Sequence, residues 1–198
     1  MKRAIVVAHS DDEVLWAGGL PLRYPGEWTI VCCSTPVKEQ ARVAQFAEAC
    51  AALGAQSKIY PDEDVDKKTL LKNLDQVDLE QFDHIVTHNK WGEYGHPHHK
   101  QVHQHVVAKY SHKRITTFGF RLRGVSIFGR RWQGRGTHRI DLTPQELERK
   151  MTALKKYTFP MQKDGKEIML WESLVDIYCH KKGLNLGVET YDGDWADF

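Results

Sequence analysis

The sequence predicts an α/β fold: a Rossmann-like, doubly wound, mostly parallel sheet with helices on both faces. The first reason is that short runs rich in β-branched and apolar residues alternate with helical patterns along the first half of the chain, the order that builds a parallel sheet. The second is that the strand candidates are almost continuously apolar, as strands covered on both faces are. The third is size, since 198 residues, 41% of them hydrophobic and 27% charged, suit one globular core. We therefore expect residues 1–198 to form a single domain.

The predicted elements follow one another in a regular order. Strands are expected at residues 4–8, 28–34, 58–60 and 84–87, and helices at residues 37–53, 67–77 and 98–110. Two later strands are expected at residues 115–120 and 125–128, followed by an Arg-rich loop at residues 129–136. Thr143 is expected to cap a further helix, because Pro144 and Glu146 suit its first turn.

The net charge of +2 selects no class of partner, but charged residues are unevenly distributed. Residues 94–140 carry ten Lys or Arg and no Asp or Glu, which favours an anionic ligand, whereas residues 62–83 and the tail from residue 189 are acidic. The four cysteines form no C-x-x-C pair and are interpreted as buried residues of a reducing cytoplasm. The apolar run after the basic start ends at Ala8, too short for a signal peptide or a membrane span. We expect a cytoplasmic protein with no membrane span.

Metal-binding and acid–base residue types follow the first and the fourth predicted strand. Residues 8–13 are Ala-His-Ser-Asp-Asp-Glu, and residues 88–99 contain four histidines, a Glu and a Tyr. Ligands of open α/β sheets bind beyond the carboxyl ends of the strands. These two segments would therefore meet in one cleft if strands one and four are neighbours.

The two segments can supply a catalytic zinc site. Such a site uses three His or carboxylate ligands and leaves a fourth position for water. His9 and Asp12 on one turn, with His99 at the start of a helix, form such a set. Asp11 lies between the first two and could take a proton from the water whose pKa the metal lowers to about 7.

Each half of this pattern also has a simpler explanation. An acidic cluster at a helix start is equally typical of first-turn charges that face the helix dipole, and most of the eleven histidines need no metal. The combination of two ligand sets at two strand ends favours a hydrolytic metal site.

These residues resemble a known family. Residues 8–13, A-H-S-D-D-E, resemble the A-H-P-D-D-E signature of the PIG-L/LmbE-like de-N-acetylases, and residues 92–99, G-E-Y-G-H-P-H-H, resemble their second signature, G-E-Y-G-H-P-D-H. Arg42 and the helix end at Leu53 and Gly54 resemble the R-plus-A-x-x-x-L-G segment between them, so the resemblance covers about residues 4–105. Family members are zinc hydrolases that cleave the acetamide of N-acetylglucosamine-type sugars.

The resemblance implies that His9, Asp12 and His99 bind one zinc ion per chain and that Asp11 is the general base. The substrate would be a small-molecule amino-sugar conjugate, and water activated at the zinc would attack its amide carbonyl. The basic stretch adds a mild preference for a phosphate-bearing conjugate, while nucleic acid is not expected.

The resemblance also gives roles to three residues that are not ligands. His96 would be the general acid that protonates the departing amine. Tyr94 would hydrogen-bond the tetrahedral oxyanion. Arg42 would contact a substrate hydroxyl or phosphate. Glu93 is interpreted either as a metal ligand or as a carboxylate that orders the loop, and the second role is favoured.

Two residues depart from the family signatures. Ser10 stands where the family has Pro, so the ligand-bearing turn loses a fixed φ. His98 stands where the family usually has Asp, and an imidazole cannot replace a carboxylate that orients a neighbouring histidine. The second change predicts a shifted acidic limb in the pH profile.

Two other functions remain open from the residues. Residues 109–139 are basic with interleaved Phe118, Phe120, Phe128 and Trp132, which a metal-dependent phosphoesterase or nuclease would also show. Two-metal phosphoryl transfer, however, generally uses more carboxylates than this cleft offers. A non-catalytic sugar- or nucleotide-binding module with a degenerate site is the second alternative. Trp91 and Trp132 are more readily core residues than stacking platforms for a sugar, and the acidic tail is either solvated or docked through Trp195 and Phe198.

Overall fold

The chain folds around one central sheet flanked by helices. The computed structural model describes residues 1–36, 40–62, 67–125, 131–134, 136–158, 160–163, 166–181, 184–193 and 195. The strands are β1 (Lys2–His9), β2 (Glu27–Pro36), β3 (Gln56–Asp62), β4 (His84–Thr87), β5 (Arg114–Phe118), β6 (Arg121–Val125), β7 (Arg131–Gly134), β8 (His138–Asp141), β9 (Pro160–Lys163), β10 (Lys166–Met169) and β11 (Val188–Gly193). The helices are α1 (Asp12–Ala17), α2 (Gly19–Arg23), α3 (Gln40–Leu53), α4 (Lys67–Gln76), α5 (Gly92–Gly95), α6 (Pro97–Lys109), α7 (Pro144–Leu154), α8 (Leu170–Leu174) and a π-helix (Val175–Lys181).

The central sheet has seven strands in the order β3-β2-β1-β4-β5-β11-β8. The first five in this order are parallel, whereas β11 is antiparallel to both β5 and β8. The chain starts in the middle of the sheet and winds outwards in both directions, which confirms the doubly wound prediction. Strands β1 and β4 are neighbours, paired from Arg3 with His84 to Val6 with Thr87. The carboxyl ends of both strands therefore meet at one edge, as the sequence predicts.

Strand β1 shows why its sequence is almost continuously apolar. Ile5 and Val7 belong to one core cluster and Ala4, Val6 and Ala8 to the other, because successive side chains point to opposite faces. Cys32 and Cys33 of β2 divide between the two clusters in the same way. Both faces of the sheet are thus covered.

The predicted helix at Thr143 is confirmed in detail. The Thr143 hydroxyl accepts from the Glu146 N–H, and the Glu146 carboxylate accepts from the Thr143 N–H, which together form a capping box.

The structure corrects the sequence prediction after residue 110. The strand expected to end at residue 120 ends at Phe118. Residues 121–124, expected to separate two strands, are instead part of β6, which ends at Val125. The rest of the strand expected at 125–128 lies outside the described residues. The expected loop at 129–136 contains β7, which pairs with β6 in an antiparallel ribbon. The backbone of this Arg-rich segment is satisfied by that pairing, and its sequence has no apolar run that would predict a strand.

Three further expectations concern surface segments. Trp195 stacks on Tyr191 and His138, so this residue of the tail docks on the sheet, while Phe198 lies outside the described residues. The side chains of residues 121–135, Trp132 included, lie outside the described part as well. Across the described ranges, no helix combines the length and apolar character that crossing a bilayer requires.

Candidate active site

The two predicted segments converge at the carboxyl ends of β1 and β4. Their backbones contain the only two non-glycine residues with positive φ in the described ranges, Asp11 at 130° and Glu93 at 54°. Such conformations are costly and persist where surrounding contacts enforce them, often at functional sites. Here the Glu13 carboxylate accepts from the Asp11 N–H at 2.9 Å, and Glu93 lies between Gly92 and Gly95, both with positive φ.

Asp12 lies at the centre of the cluster and is buried. Its Oδ1 accepts from the Trp16 indole N–H at 2.9 Å, and its Oδ2 accepts from the His9 backbone N–H at 3.0 Å. The same Oδ2 lies 3.3 Å from His9 Nδ1 and 3.3 Å from His99 Nε2. Burial alone would raise the pKa of Asp12, but His99 and the hydrogen bonds from His9 and His99 hold it well below its usual range. Asp12 is therefore a carboxylate.

Glu93 fixes the orientation of His99. Its Oε2 lies 2.5 Å from His99 Nδ1, and because a carboxylate only accepts, that nitrogen carries a hydrogen. His99 Nε2 is buried and faces Asp12 Oδ2 at 3.3 Å. Burial alone would lower the pKa of His99, but Asp12 and Glu93 raise it to about 10. Glu93 also accepts from the Asn89 N–H at 2.9 Å, so it orders the loop, as the sequence suggests.

The donor geometry fits one metal ion. Tetrahedral ligands at about 2.0–2.1 Å from an ion lie roughly 3.3–3.4 Å from one another, which matches the distances of Asp12 Oδ2 to His9 and His99. Among the described residues, two groups of side chains could hold a metal ion, and both include His99. One group is His9, His96 and His99, and the other is Asp12, His88 and His99. His88 is a poor ligand, because its Nε2 already accepts from the Ala8 N–H at 2.9 Å and its Nδ1 contacts Glu93. Of the predicted set, Asp12 Oδ2 lies 3.3 Å from both His9 Nδ1 and His99 Nε2, while the two groups place His9 with His96 and Asp12 with His88.

The predicted base, Asp11, is buried beside Arg42. Arg42 Nη2 lies 3.1 Å from Asp11 Oδ2 and donates to the Ser10 carbonyl at 2.6 Å, so the guanidinium holds the turn that lacks the family's proline. Burial raises the pKa of Asp11 to about 7, although the charge of Arg42 acts in the opposite direction. Burial also raises the pKa of Glu13 to about 7, and Tyr157 donates a hydrogen bond to that carboxyl group. Tyr157 has no counterpart in the sequence prediction.

His96 and His98 lie at the mouth of the site. Burial, together with the neighbouring His99 and His9, lowers the pKa of His96 to about 3, so its imidazole is neutral in the free protein. Its Nδ1 accepts from the His98 backbone N–H at 3.3 Å, which leaves the hydrogen on Nε2. The His98 side chain contacts His9, with 3.0 Å between His98 Nδ1 and His9 Nε2. This imidazole is thus placed against a candidate metal ligand.

A cavity of about 240 Å³ opens beside the cluster. It is lined by His9, Asp11, Ser34, Arg42, Tyr94, His96 and Tyr178. Tyr94, predicted as an oxyanion donor, is therefore at the cavity wall, and its hydroxyl lies 2.9 Å from that of Tyr178. Tyr178 was missed from the sequence, because it is 84 residues away in an unpatterned segment. A larger depression of about 560 Å³ lies at the other end of β5, near Lys113 and Gly193, and is separate from both ligand groups.

Two other predicted binding features lie apart from these contacts. Trp91 is 38% exposed and lies under the Lys90 ammonium group, 4.6 Å from the ring centre. In the basic stretch, Lys113 pairs with Glu80 and Arg139 with Asp141. These contacts do not support the expected phosphate site.

Comparison with solved structures shows the same fold in several enzymes. The hydratase GalB, which acts on 4-carboxy-2-hydroxymuconate in Pseudomonas putida KT2440, is 18% identical with a TM-score of 0.55, over 100% of this chain and 98% of that one. A triple mutant of a deacetylase from the teicoplanin biosynthetic pathway is 12% identical with a TM-score of 0.59, over 100% of both chains. The A40926 pseudoaglycone deacetylase Dbv21 is 13% identical with a TM-score of 0.58, over 92% of this chain and 86% of that one. Since these identities are low, the likeness shows the fold.

Sequence comparison identifies the family. No curated protein matches the chain significantly. The family model of PIG-L, described as GlcNAc-PI de-N-acetylase, matches residues 4–110, which include both signatures and Arg42. Because the match spans more than half of the 198 residues, the chain belongs to the PIG-L family.

Proposed function

We propose that this chain is a zinc-dependent hydrolase that removes the acetyl group from an N-acetylated amino sugar. The observation that carries the proposal is the position of Asp12 Oδ2, 3.3 Å from an imidazole nitrogen of His9 and 3.3 Å from one of His99. A second carboxyl group, that of Asp11, lines the cavity beside this cluster together with His9. The fold is shared by a hydratase and by deacetylases, so the reaction is argued from this site and from membership of the family.

His9, Asp12 and His99 would hold the ion. Two imidazole nitrogens and one carboxylate oxygen are a donor set found at catalytic zinc sites that keep a position open. Glu93 and Trp16 support two of these ligands through hydrogen bonds, to His99 and to Asp12 respectively. When bound, the ion supplies Lewis acidity, which lowers the pKa of water and polarises the acetyl carbonyl.

Asp11 is the group that would take the proton of the attacking water. With a pKa of about 7, its carboxylate is basic enough to accept a proton at neutral pH and acidic enough to return it. The water oxygen joins the acetyl carbon, the C–N bond breaks, and the nitrogen leaves with a proton. The products are acetate and a free amine.

His96 and Tyr94 would act on the two ends of the breaking amide. His96 is neutral in the free protein, but negative charge that develops on the acetyl oxygen beside it would raise its pKa. It can then receive the proton and pass it to the amine. Burial raises the pKa of Tyr94, so its phenol keeps its hydrogen and can donate to the oxyanion.

The cavity suits part of a larger substrate. A volume of about 240 Å³ is smaller than the sites that enclose whole drug-sized ligands. It has room for the acetamido group and the adjoining part of a sugar ring, with the rest of the conjugate outside. Arg42, which also lines this cavity, remains a candidate contact for a sugar hydroxyl while it pairs with Asp11.

The site favours this reaction over phosphoryl transfer. Two-metal phosphoryl transfer needs two ions about 3.5–4 Å apart, each with its own ligands. In the described ranges, both candidate ligand groups use His99, and one of them needs His88, whose Nε2 already accepts a hydrogen bond from Ala8. A buried carboxyl group with a raised pKa that lines the cavity beside the candidate ligands favours catalysis over a non-catalytic binding module.

The decisive experiment is acetate release by the zinc-loaded protein. Methyl N-acetylglucosaminide and N-acetylglucosamine 1-phosphate represent neutral and phosphate-bearing substrates, and Asp11→Ala is the control. We expect wild type to release acetate from at least one of them and the variant to lose turnover by about 10²–10⁴-fold, the usual contribution of a general base. The variant should keep its zinc, measured by elemental analysis, because Asp11 is not a ligand.

Each contrary result points to a different error. Loss of zinc in Asp11→Ala would show that the roles of Asp11 and Asp12 are misassigned. No acetate release by zinc-loaded wild type would refute the deacetylase, and phosphodiesters would be the next substrates. Sugar binding by a protein that takes up no metal would favour the binding module.

A further inference from the structure

Tyr178 lies in the active-site cavity but outside the part of the chain that defines the family. The family match ends at residue 110, and Tyr178 belongs to the π-helix Val175–Lys181. π-Helices are rare and are often found at functional sites. Tyr178 is 9% exposed and faces the cavity that Asp11 and His96 line.

The ring of Tyr178 is held against the catalytic cluster by two aromatic contacts. It packs edge to face on Trp16, with 5.6 Å between ring centres, and on Tyr94, with 5.5 Å. Both are favourable aromatic geometries. Trp16 in turn donates its indole N–H to Asp12. Tyr178 is therefore a fixed part of the wall next to the candidate ligands.

The hydroxyl groups of Tyr178 and Tyr94 are 2.9 Å apart, within hydrogen-bond distance. Burial raises the pKa of both phenols, so each carries its single hydrogen at neutral pH. Only one of the two can donate to the other. If Tyr94 donated to Tyr178, its hydrogen would be turned away from the acetyl oxygen.

We propose that Tyr178 is a positioning residue that donates its hydroxyl hydrogen to the oxygen of Tyr94, which directs the hydrogen of Tyr94 towards the oxyanion. This inference rests on the proposed deacetylase function, in which Tyr94 stabilises that oxyanion. A hydroxyl that accepts one hydrogen bond becomes a stronger donor of another, so Tyr178 also strengthens the donation by Tyr94. The C-terminal third of the chain thereby completes the oxyanion site.

The test is a double-mutant cycle of Tyr94→Phe and Tyr178→Phe on acetate release. We expect Tyr94→Phe to lower kcat by about 10²-fold, as loss of an oxyanion donor does. Tyr178→Phe should lower kcat by about tenfold, the effect of one lost hydrogen bond, while KM stays within about twofold. The double variant should be no slower than Tyr94→Phe, because Tyr178 acts only through Tyr94.

A matched control distinguishes the positioning role of Tyr178 from the general effect of removing a buried tyrosine hydroxyl. Tyr110 is buried and donates to the Val77 carbonyl at 2.6 Å, in the other core cluster. Tyr110→Phe should reduce stability and leave kcat unchanged. Thermal unfolding and zinc content of Tyr178→Phe should show that this variant is folded and loaded.

A second readout does not depend on turnover. A methylphosphonamidate analogue of the N-acetyl group mimics the tetrahedral anion. Calorimetry should show that Tyr178→Phe weakens the binding of this analogue about tenfold and leaves the binding of methyl N-acetylglucosaminide unchanged. Independent losses that multiply in the double variant, or a raised KM with unchanged kcat, would overturn the positioning role. Wild type that neither releases acetate nor binds the analogue would refute the proposed function and the inference with it.

Discussion

Arg42 contacts Asp11, the predicted base, so the effect of the Arg42 charge on the pKa of Asp11 can be measured. Its guanidinium lies 3.1 Å from Asp11 and lowers the pKa of that carboxyl group against the effect of burial. In Arg42→Met we expect the pKa of Asp11 to rise. The base is then deprotonated only at higher pH, so the acidic limb of kcat/KM should move up by about one unit or more. Arg42→Lys is the control, since it retains the charge.

A pH–rate profile of the three proteins checks this prediction. If the limb stays in place in Arg42→Met while KM rises, Arg42 acts through the substrate, as the family resemblance implies, and its charge is not needed by Asp11.

His98 occupies the position of a family aspartate, and its side chain lies 3.0 Å from the metal-ligand candidate His9. A carboxylate there would accept from His9 Nε2 and make the ring a stronger ligand. We expect His98→Asp to bind zinc more tightly and to be more active, or active over a wider range, at neutral pH. His98→Ala should bind zinc about 10-fold more weakly or worse, because His9 loses a partner.

Zinc competition with a chromophoric chelator and a pH–rate profile measure both effects. An unchanged affinity and profile in both variants would remove His98 from the mechanism.

The residues that the structure brings together at the candidate site could be singled out where they are close together in the sequence. His9, Asp11 and Asp12 share one turn and His96 and His99 share another, so two short motifs reveal them. The side chains that orient them are a different matter. Trp16 has the spacing of an ordinary core residue, and Tyr178 reaches Tyr94 only through the tertiary fold. No local pattern marks such residues.

At the scale of elements, apolar runs predicted the parallel strands of the central sheet and missed the antiparallel ones. Strands β1, β2 and β4 are buried on both faces, so their sequences are strongly apolar. Strand β11 alternates, with Glu189 and Tyr191 buried and its neighbours partly exposed, and it was not predicted. The short helices α1 and α2 were hidden because Gly18, Gly19 and Pro21 interrupt any helical pattern.

The first turn of helix α7 contains an ion pair, between Arg23 and Glu146, whose contribution to stability depends on pH. Arg23 at the end of α2 donates to both oxygens of Glu146, at 2.6 and 2.7 Å, and Glu146 also caps Thr143. The hydrogen bond from Arg23 is the main reason that the pKa of Glu146 is lowered from 4.5 to about 2. A lowered pKa stabilises the fold above the unfolded value of about 4.5, and the stabilisation is lost as the pH falls towards about 2.

We expect Glu146→Gln to lower the free energy of unfolding at pH 7 by about 1 kcal/mol. The loss is small because water screens the partly exposed ion pair. Glutamine keeps one acceptor oxygen for the capping box and loses the charge together with one acceptor for Arg23. Urea unfolding at pH 7, 5 and 3.5 should show the difference from wild type shrinking below pH 4.5. A difference that persists unchanged at pH 3.5 would mean that the loss is not electrostatic.

At the scale of the whole molecule, the residues beyond 110 share one core with those before it. Ile5 and Val7 of β1 belong to the same apolar cluster as Phe118, Leu154 and Tyr191. A buried polar contact joins the two parts as well. Glu189 of β11 accepts from Lys150 of α7 at 2.6 Å and from the Gly19 N–H of α2 at 2.7 Å.

The Lys150–Glu189 contact allows a test of whether the two parts of the chain unfold as one domain. Lys150 and Glu189 are almost fully buried, so removing one charge leaves the other without its counter-ion in a medium that solvates it poorly. We expect Lys150→Met to lower the free energy of unfolding by about 3–5 kcal/mol. Adding Glu189→Gln should recover much of that loss, because glutamine can still accept from Gly19.

Urea unfolding followed by tryptophan fluorescence and by circular dichroism measures both points. In a background in which Trp132, Trp171 and Trp195 are replaced by Phe, the remaining tryptophans report on the first part of the chain, whereas the dichroism signal includes α7 and β11. If residues 1–198 form one domain, the two signals should change together in this background and shift together when Lys150→Met is added. Separate transitions, with only the dichroism change displaced, would show that the segment carrying Tyr178 folds independently. Its hydroxyl could then be lost from the site while the metal ligands stay in place, and the activity would fall before the zinc is released.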